Sequence, residues 1–334
     1  MTPPFLHRLA THPARTIARL MAGAALCAVA AQGFAQDYPS KTVQLVVPFA
    51  AGGPSDALAR ALGREMAAGL GQTVIVVNQP GAAGNLGGKA AAQAQPDGHT
   101  VLFTLDAALT SNPALYGSRM GFDPAKDLRP VTTLVSYGQT LAVHPSLKVS
   151  TLPQFLELAR KQDLTYASAG NGSTGHLGMA LLADIAGLKM THIPYKGAAP
   201  ALTDLIGGQV QSGFLVTPGV APHVKSGRLV ALAVSGKKRS GLLPQIPTVT
   251  EAGLPGATLE FSMMLMAPAK TPDAIVKRLN DEAHKAMKSA SVQKLLKDND
   301  YDAVSDTPEQ AAAHLAAMTK QMADLIAKLG IKAD

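Results

Sequence analysis

The chain has 334 residues, is 47% hydrophobic and holds one cysteine and no tryptophan; that length is more than one hydrophobic core usually serves, so two lobes are expected. The formal charge of +7 is scattered without basic runs and aromatic residues are only 4%, which argues against a nucleic-acid surface. Cys27 falls inside the leader described next, so the rest of the chain excludes disulfide scaffolds, thiolate metal sites and cysteine nucleophiles.

Residues 1–35 read as an export signal. Arg8, Arg15 and Arg19 precede the apolar run 20–31, and Gly33 and Ala35 place the cut after Ala35. The run falls short of the ~20 apolar residues a bilayer span needs, and Cys27 follows Leu26 rather than a small residue, against a lipid anchor. Loss of the three arginines lowers the charge from +7 to +4.

Strand and helix patterns then alternate. Residues 43–49 (VQLVVPF) form a short apolar strand of the kind buried in a parallel sheet. A glycine-rich turn leads to a helix over 56–70, with Leu58, Leu62, Met66 and Leu70 at helical spacing and Gly69 and Gly71 to stop it. Strand 73–77, a second glycine-rich loop at 79–88, an Ala-rich helix and strand 100–105 complete a βαβαβ opening, the signature of a doubly wound sheet. The middle repeats the theme: strands at 141–143, 164–169, 190–193, 210–216 and 229–235 alternate with helices at 152–161, 174–185, 199–206 and 220–226. After a Pro/Gly-rich connector at 241–256 come strand 258–267 and helices at 272–288 and 308–329. Strand-like crossings near 136–141 and 256–261 suit a hinge between two α/β halves.

Three glycine-rich segments sit where a strand hands over to a helix, the place where open α/β sheets bind ligands and where helix N-termini offer unpaired N–H groups. The first holds Phe49, Ala51, Gly52, Gly53, Ser55 and Asp56; Ser55 is suited to cap the helix or donate to a ligand, and Asp56 to order the loop. The second offers Asn85 as a polar contact and is equally well read as a tight structural turn. In the third, Gly170, Gly172 and Gly175 satisfy G-x-G-x-x-G, yet the next strand runs into Pro194, Tyr195 and Lys196 with no acid for a ribose. His176 and Leu177 stand where a phosphate loop needs Lys and Ser/Thr, and Ser173 lacks the glycine two residues before it that a nucleophile elbow has. What survives these tests is the generic function, an anion cradle at a helix start. His99, His144, His176, His192, His223, His284 and His314 are dispersed without metal-ligand spacing, and Met263, Met264 and Met266 read as core. Tyr195 is placed to reach the cleft.

At these residues the sequence resembles the tripartite tricarboxylate transporter receptors, the TctC-like or Bug family of periplasmic solute-binding proteins. The segments that carry the resemblance are PFAAGGPSDALAR (48–60), VVNQPGAAGNLGG (76–88), PDGHTVLF (96–103), SAGNGSTGHLGMALL (168–182), HIPYKGAAPALTDLIGGQV (192–210), PHVKSGRLVALAVSGKKRS (222–240) and LPQIPTVTEAGLPG (243–256). The resemblance implies a type II, Venus-flytrap periplasmic binding protein, with 36–138 and 257–334 as one lobe and 139–256 as the other. It implies a small carboxylate gripped by backbone amides of Ala51, Gly52, Gly53 and Ser55 facing Gly172, Ser173 and Thr174, with Asp56 and His176 supporting the loops. It also implies a periplasmic monomer that uses no cofactor or metal and hands its ligand to membrane permease subunits. Relatives often carry an aromatic residue, commonly Trp, in the strand that here reads Glu260, Phe261, Ser262, Met263, Met264, so the wall is softer in this chain.

Two other readings predict different chemistry. A sensor would present the loaded receptor to a membrane signalling partner. An α/β oxidoreductase would use the G-x-G-x-x-G loop for a nucleotide and a titrating base in the cleft; the missing acid and the leader speak against it.

Overall fold

A computed structural model describes residues 38–333, and the expected leader lies outside them. From Lys41 onward the chain is one unit built on two mixed sheets.

The first sheet is laid down by β1 (Val43–Val47), β2 (Val74–Asn78) and β3 (Thr100–Leu105), which run parallel. It continues with β4 (Leu128–Tyr137). Within half a turn of β4 the chain enters the second sheet as β5 (Gln139–Val143), followed by β6 (Leu164–Ser168), β7 (Met190–Pro194), β8 (Ser212–Val216) and β9 (Val230–Val234). It returns to the first sheet as β10 (Phe261–Pro268) and ends with the short β11 (Asp302–Ala303). The orders are β11-β4-β10-β3-β1-β2 and β7-β6-β8-β5-β9. In each, three parallel strands are followed by one antiparallel strand, β10 or β5, that connects with the other half of the chain. This is the two-lobe periplasmic binding protein fold.

The helices between strands are α1 (Pro54–Leu70), α2 (Asn85–Ala92), α3 (Ala107–Thr110), α4 (Asn112–Tyr116) and α5 (Pro124–Asp127) in the first half, then α6 (Leu152–Lys161), α7 (Thr174–Ala186), α8 (Ala198–Ile206) and α9 (Thr217–Lys225). The tail adds α10 (Asp273–Met287), α11 (Ala290–Asp298) and α12 (Pro308–Leu329), and α10 and α12 pack on the first sheet. α1 buries the expected Leu58, Leu62, Met66 and Leu70. It starts two residues earlier than the pattern suggests because Pro54 suits a first helical position, and it stops at the left-handed Gly71. Gly69 is inside the helix, where the carboxylate of buried Glu282 fills the space of a side chain.

Neither β4, ten residues long, nor α11, nine residues long, is among the expected elements, although Ser289 caps α11 and Val292 and Leu296 stand at helical spacing on its buried face. Pro130 disguises β4, and the strand tolerates it because β11 covers only Val135 and Ser136 on that edge. Core residues are Val46, Leu102, Met264, Met266 and Leu315 in one lobe and Leu141, Phe155, Tyr166, Met179 and Phe214 in the other. Each such side chain contributes about 1.5–3 kcal/mol on burial. Met263 is buried as well, and Phe261 is only 1% exposed, packed on Tyr137 with ring centroids 6.2 Å apart.

Candidate functional site

β1 hands over to α1 through a turn in which Ala50, Ala51 and Gly52 are exposed and Phe49 and Gly53 half-buried. Gly53 is the cap residue of α1, so Ser55, buried at the second helical position, does not cap it. Asp56 at the third position turns back on the turn: its Oδ2 accepts from the Gly52 amide at 2.9 Å and from Arg60 Nε at 3.0 Å. Its Oδ1 accepts from Asn78 Nδ2 at 3.0 Å, which also donates to the Phe49 carbonyl at 3.1 Å. The Arg60 hydrogen bond, opposed by burial and helped by Gly52 and Asn78, holds the Asp56 carboxyl down at about 2. Gly52 has φ +82, a conformation that favours glycine and sets its amide toward Asp56.

The second loop lies under the first. A side chain at Gly84 would touch Pro48 and Phe49 at 3.6 and 3.7 Å. Asn85 opens α2 and is buried; its Oδ1 accepts from Asn112 Nδ2 at 2.7 Å, and Asn112 also donates to the Ala83 carbonyl at 3.0 Å. Asn85 thus ties α2 to α4 inside the lobe.

In the other lobe β6 ends at Ser168 and Ser173 caps α7, its Oγ accepting from the His176 amide at 3.4 Å. His176, buried at the third helical position, accepts the Gly172 amide on Nδ1 at 3.1 Å. Gly172 has φ +72. The histidines are dispersed in sequence but two of them meet in space: His176 stacks on His192 at 3.8 Å, and His192 on Tyr166 at 4.8 Å. His192 Nε2 lies 2.6 Å from Ser168 Oγ. Thr174 Oγ1 accepts from Gln139 Nε2 at 2.8 Å, which links the loop to the crossing strand. Tyr195 donates its hydroxyl to Asp204 at 2.7 Å; burial first, and then that carboxylate, push its phenol up to about 12. Tyr195 is therefore tied to α8 and to the core behind the loop.

The two halves of the chain touch between the third loop and α4. A side chain at Gly172 would strike Leu115 at 2.4 Å, and Leu115 lies on α4 beside Asn112. Contacts thus lead from Phe49 through Gly84, Asn85 and Asn112 to Leu115 and Gly172. The Gly52 and Gly172 amides are both engaged within their own loops. Of the first-turn amides, which lack intrahelical acceptors, those of Ser55 and Asp56 in α1 and of Thr174 and Gly175 in α7 are the candidate donors to an anion, since Pro54 has no N–H and the His176 amide donates to Ser173 Oγ. Sequence reasoning missed Arg60, Asn78, Asn112, Gln139 and His192. Asn78, a polar residue closing an apolar strand, and Arg60, four residues after Asp56, were the available signals.

Among the described residues no group of three or more His, Cys, Asp or Glu side chains is placed to hold a metal ion, and no helix is long and apolar enough to cross a membrane. Ser262, His314 and Asp106 lie close together, but Ser262 Oγ at 3.4 Å and Asp106 Oδ2 at 3.9 Å both address the same ring nitrogen. One nitrogen serving both cannot relay a proton across the ring.

Residues 58–331 match the model of the family described as "Tripartite tricarboxylate transporter family receptor". The chain belongs to this family. Receptors of this kind are periplasmic solute-binding proteins, generally without enzymatic activity. The receptor is 32% identical over 310 residues to the protein BugT of Bordetella pertussis, covering 92% of this chain and 95% of that one. Among solved structures, Rpa4515 of Rhodopseudomonas palustris with adipate shares 32% identity at a TM-score of 0.78, over 89% of this receptor and 100% of that chain. MatC of R. palustris with bound malate shares 32% identity at a TM-score of 0.72, over 86% and 100%.

Proposed function

We propose that this receptor captures a small di- or tricarboxylate, or a related organic acid, between the loop of Ala51, Gly53 and Ser55 in one lobe and that of Ser173 and Thr174 in the other. The lobes in this reading are 36–138 with 257–334, and 139–256. After export and removal of residues 1–35, the receptor delivers its ligand in the periplasm to membrane permease subunits of a tripartite tricarboxylate-type transporter.

One observation carries the carboxylate. Ser173 Oγ and Thr174 Oγ1 each serve as acceptors inside the protein, from the His176 amide and from Gln139. A hydroxyl that accepts internally keeps its one hydrogen to donate. Two such hydrogens at the start of a helix, beside first-turn amides, form a set of donors suited to an anion. Charge-assisted bonds contribute about 1.5–3 kcal/mol each. Four or five, less the cost of ordering the ligand and closing the lobes, leave about −8 kcal/mol, a micromolar receptor.

The test is a thermal-shift screen of mono-, di- and tricarboxylates on the protein without residues 1–35, beginning with malate and adipate because relatives were solved with them. Stabilisation by carboxylates is the expected result. Stabilisation by neutral sugars or cationic amino acids, with none by any carboxylate, overturns the assignment.

A further inference from the structure

The two anion loops are built on one plan with one chemical difference. In each, the side chain at the third position of the following helix reaches back four residues to the amide of a left-handed glycine: Asp56 to Gly52 at 2.9 Å, His176 to Gly172 at 3.1 Å. A carboxylate accepts at any pH at which it is ionised. An imidazole nitrogen accepts only while it carries no proton, and imidazole titrates near neutrality.

We infer that His176 is a positioning residue for ligand capture, that its unprotonated Nδ1 presets the Gly172 turn, and that acidification through the imidazole range releases the turn and weakens binding. The inference rests on the carboxylate site proposed above and assigns that site a pH dependence confined to one lobe. Protonation at Nδ1 sets an N–H against the Gly172 N–H and removes the bond that fixes the turn. Ser173 and Thr174, the residues with free hydroxyl hydrogens, follow directly on Gly172.

Two titratable side chains make ring contacts with His176, His192 on β7, which stacks on it, and Tyr166 on β6, which stacks on His192. Leu115 from α4 and Gln139 from β5, which border the loop, are uncharged. His192 faces His176 at 3.8 Å, so two protons in the stack oppose each other. His192 keeps its contact with Ser168 through Nε2. The Asp56 carboxyl, held at about 2, leaves the first loop intact over the same range.

Affinity for a carboxylate found in the thermal-shift screen would be measured for the wild type, His176→Asn, His176→Leu and His192→Phe at about pH 7.5 and about pH 5.5. His176→Asn keeps an acceptor near the position of Nδ1 and does not titrate; it is expected to bind about tenfold more tightly than His176→Leu. The ratio of wild-type to His176→Asn affinity, in which the ligand's own titration cancels, is expected to fall about tenfold on acidification. A constant or rising ratio overturns the inference, as does a pH slope that persists in His176→Asn and vanishes in His192→Phe. A ligand-free measurement separates this inference from the carboxylate assignment. The Gly172 amide resonance is expected to titrate with the midpoint of the His176 ring. An amide indifferent to pH overturns the positioning role. An amide that follows the ring in a protein that binds no carboxylate supports that role and removes only the ligand assignment.

Discussion

Asp56 is nearly buried, yet both of its oxygens are engaged, by Gly52, Arg60 and Asn78. Asp56→Asn places an N–H where an acceptor is needed and leaves one of those donors without a partner. The expected loss is about 1–3 kcal/mol of stability near neutral pH, with weaker ligand binding. The pH dependence has a definite sign. The folded carboxyl is depressed from 3.8 to about 2, so its contribution is fully present above 3.8 and disappears as the pH falls through about 2. Urea unfolding of wild type and variant near pH 6, 4 and 3 is expected to give a gap that is constant at first and then narrows. A gap that widens toward acid contradicts this account.

At the scale of elements, two glycines at helix starts separate folding from binding. A methyl at Gly175 would lie 2.5 Å from the Phe214 carbonyl oxygen, because the start of α7 packs directly on the backbone of β8. Gly175→Ala is expected to cost about 1–3 kcal/mol and several degrees of melting temperature. A methyl at Gly53 meets only the Ala50 carbonyl, at 3.6 Å, and its φ of −79 is open to any residue. Gly53→Ala is expected to melt within about 1 kcal/mol of wild type while its affinity falls about tenfold. Calorimetry and ligand titration on the two variants check this; equal effects on both readouts from both variants reject it. The same contrast explains what the sequence made legible. α6 and α12 begin and end as the pattern predicts because Thr151 and Thr307 cap their starts and Gly330 ends α12, all chemistry within a few residues. The glycine loops were visible for the same local reason. The ring stack was not, because it depends on pairing of β6 with β7, which sets Tyr166 opposite His192. Gln139 and Asn112 act across 35 and 27 residues of sequence, and no local periodicity records such pairs.

For the whole molecule, the proposed capture brings the two sheets together at the carboxyl ends of their parallel strands. Gly172, just after β6, already meets Leu115, in the segment after β3, and the crossings beneath them are joined at Ser235, whose Oγ accepts from the Gln139 amide at 2.9 Å and donates to the Leu259 carbonyl at 2.7 Å. Val216 ends β8, the strand beside β6, and is 37% exposed despite being a large apolar residue. If ligand draws the lobes together, Val216 is expected to lose solvent. The chain has no tryptophan, so Val216→Trp introduces a single reporter at that rim. Addition of a binding carboxylate is expected to shift its emission to shorter wavelength and to reduce quenching by acrylamide, with a midpoint that matches the affinity measured by calorimetry. Saturating ligand without a change in emission or quenching means that capture proceeds without closure over this rim, and the contacts that join Gln139, Ser235 and Leu259 then have no part in holding the ligand.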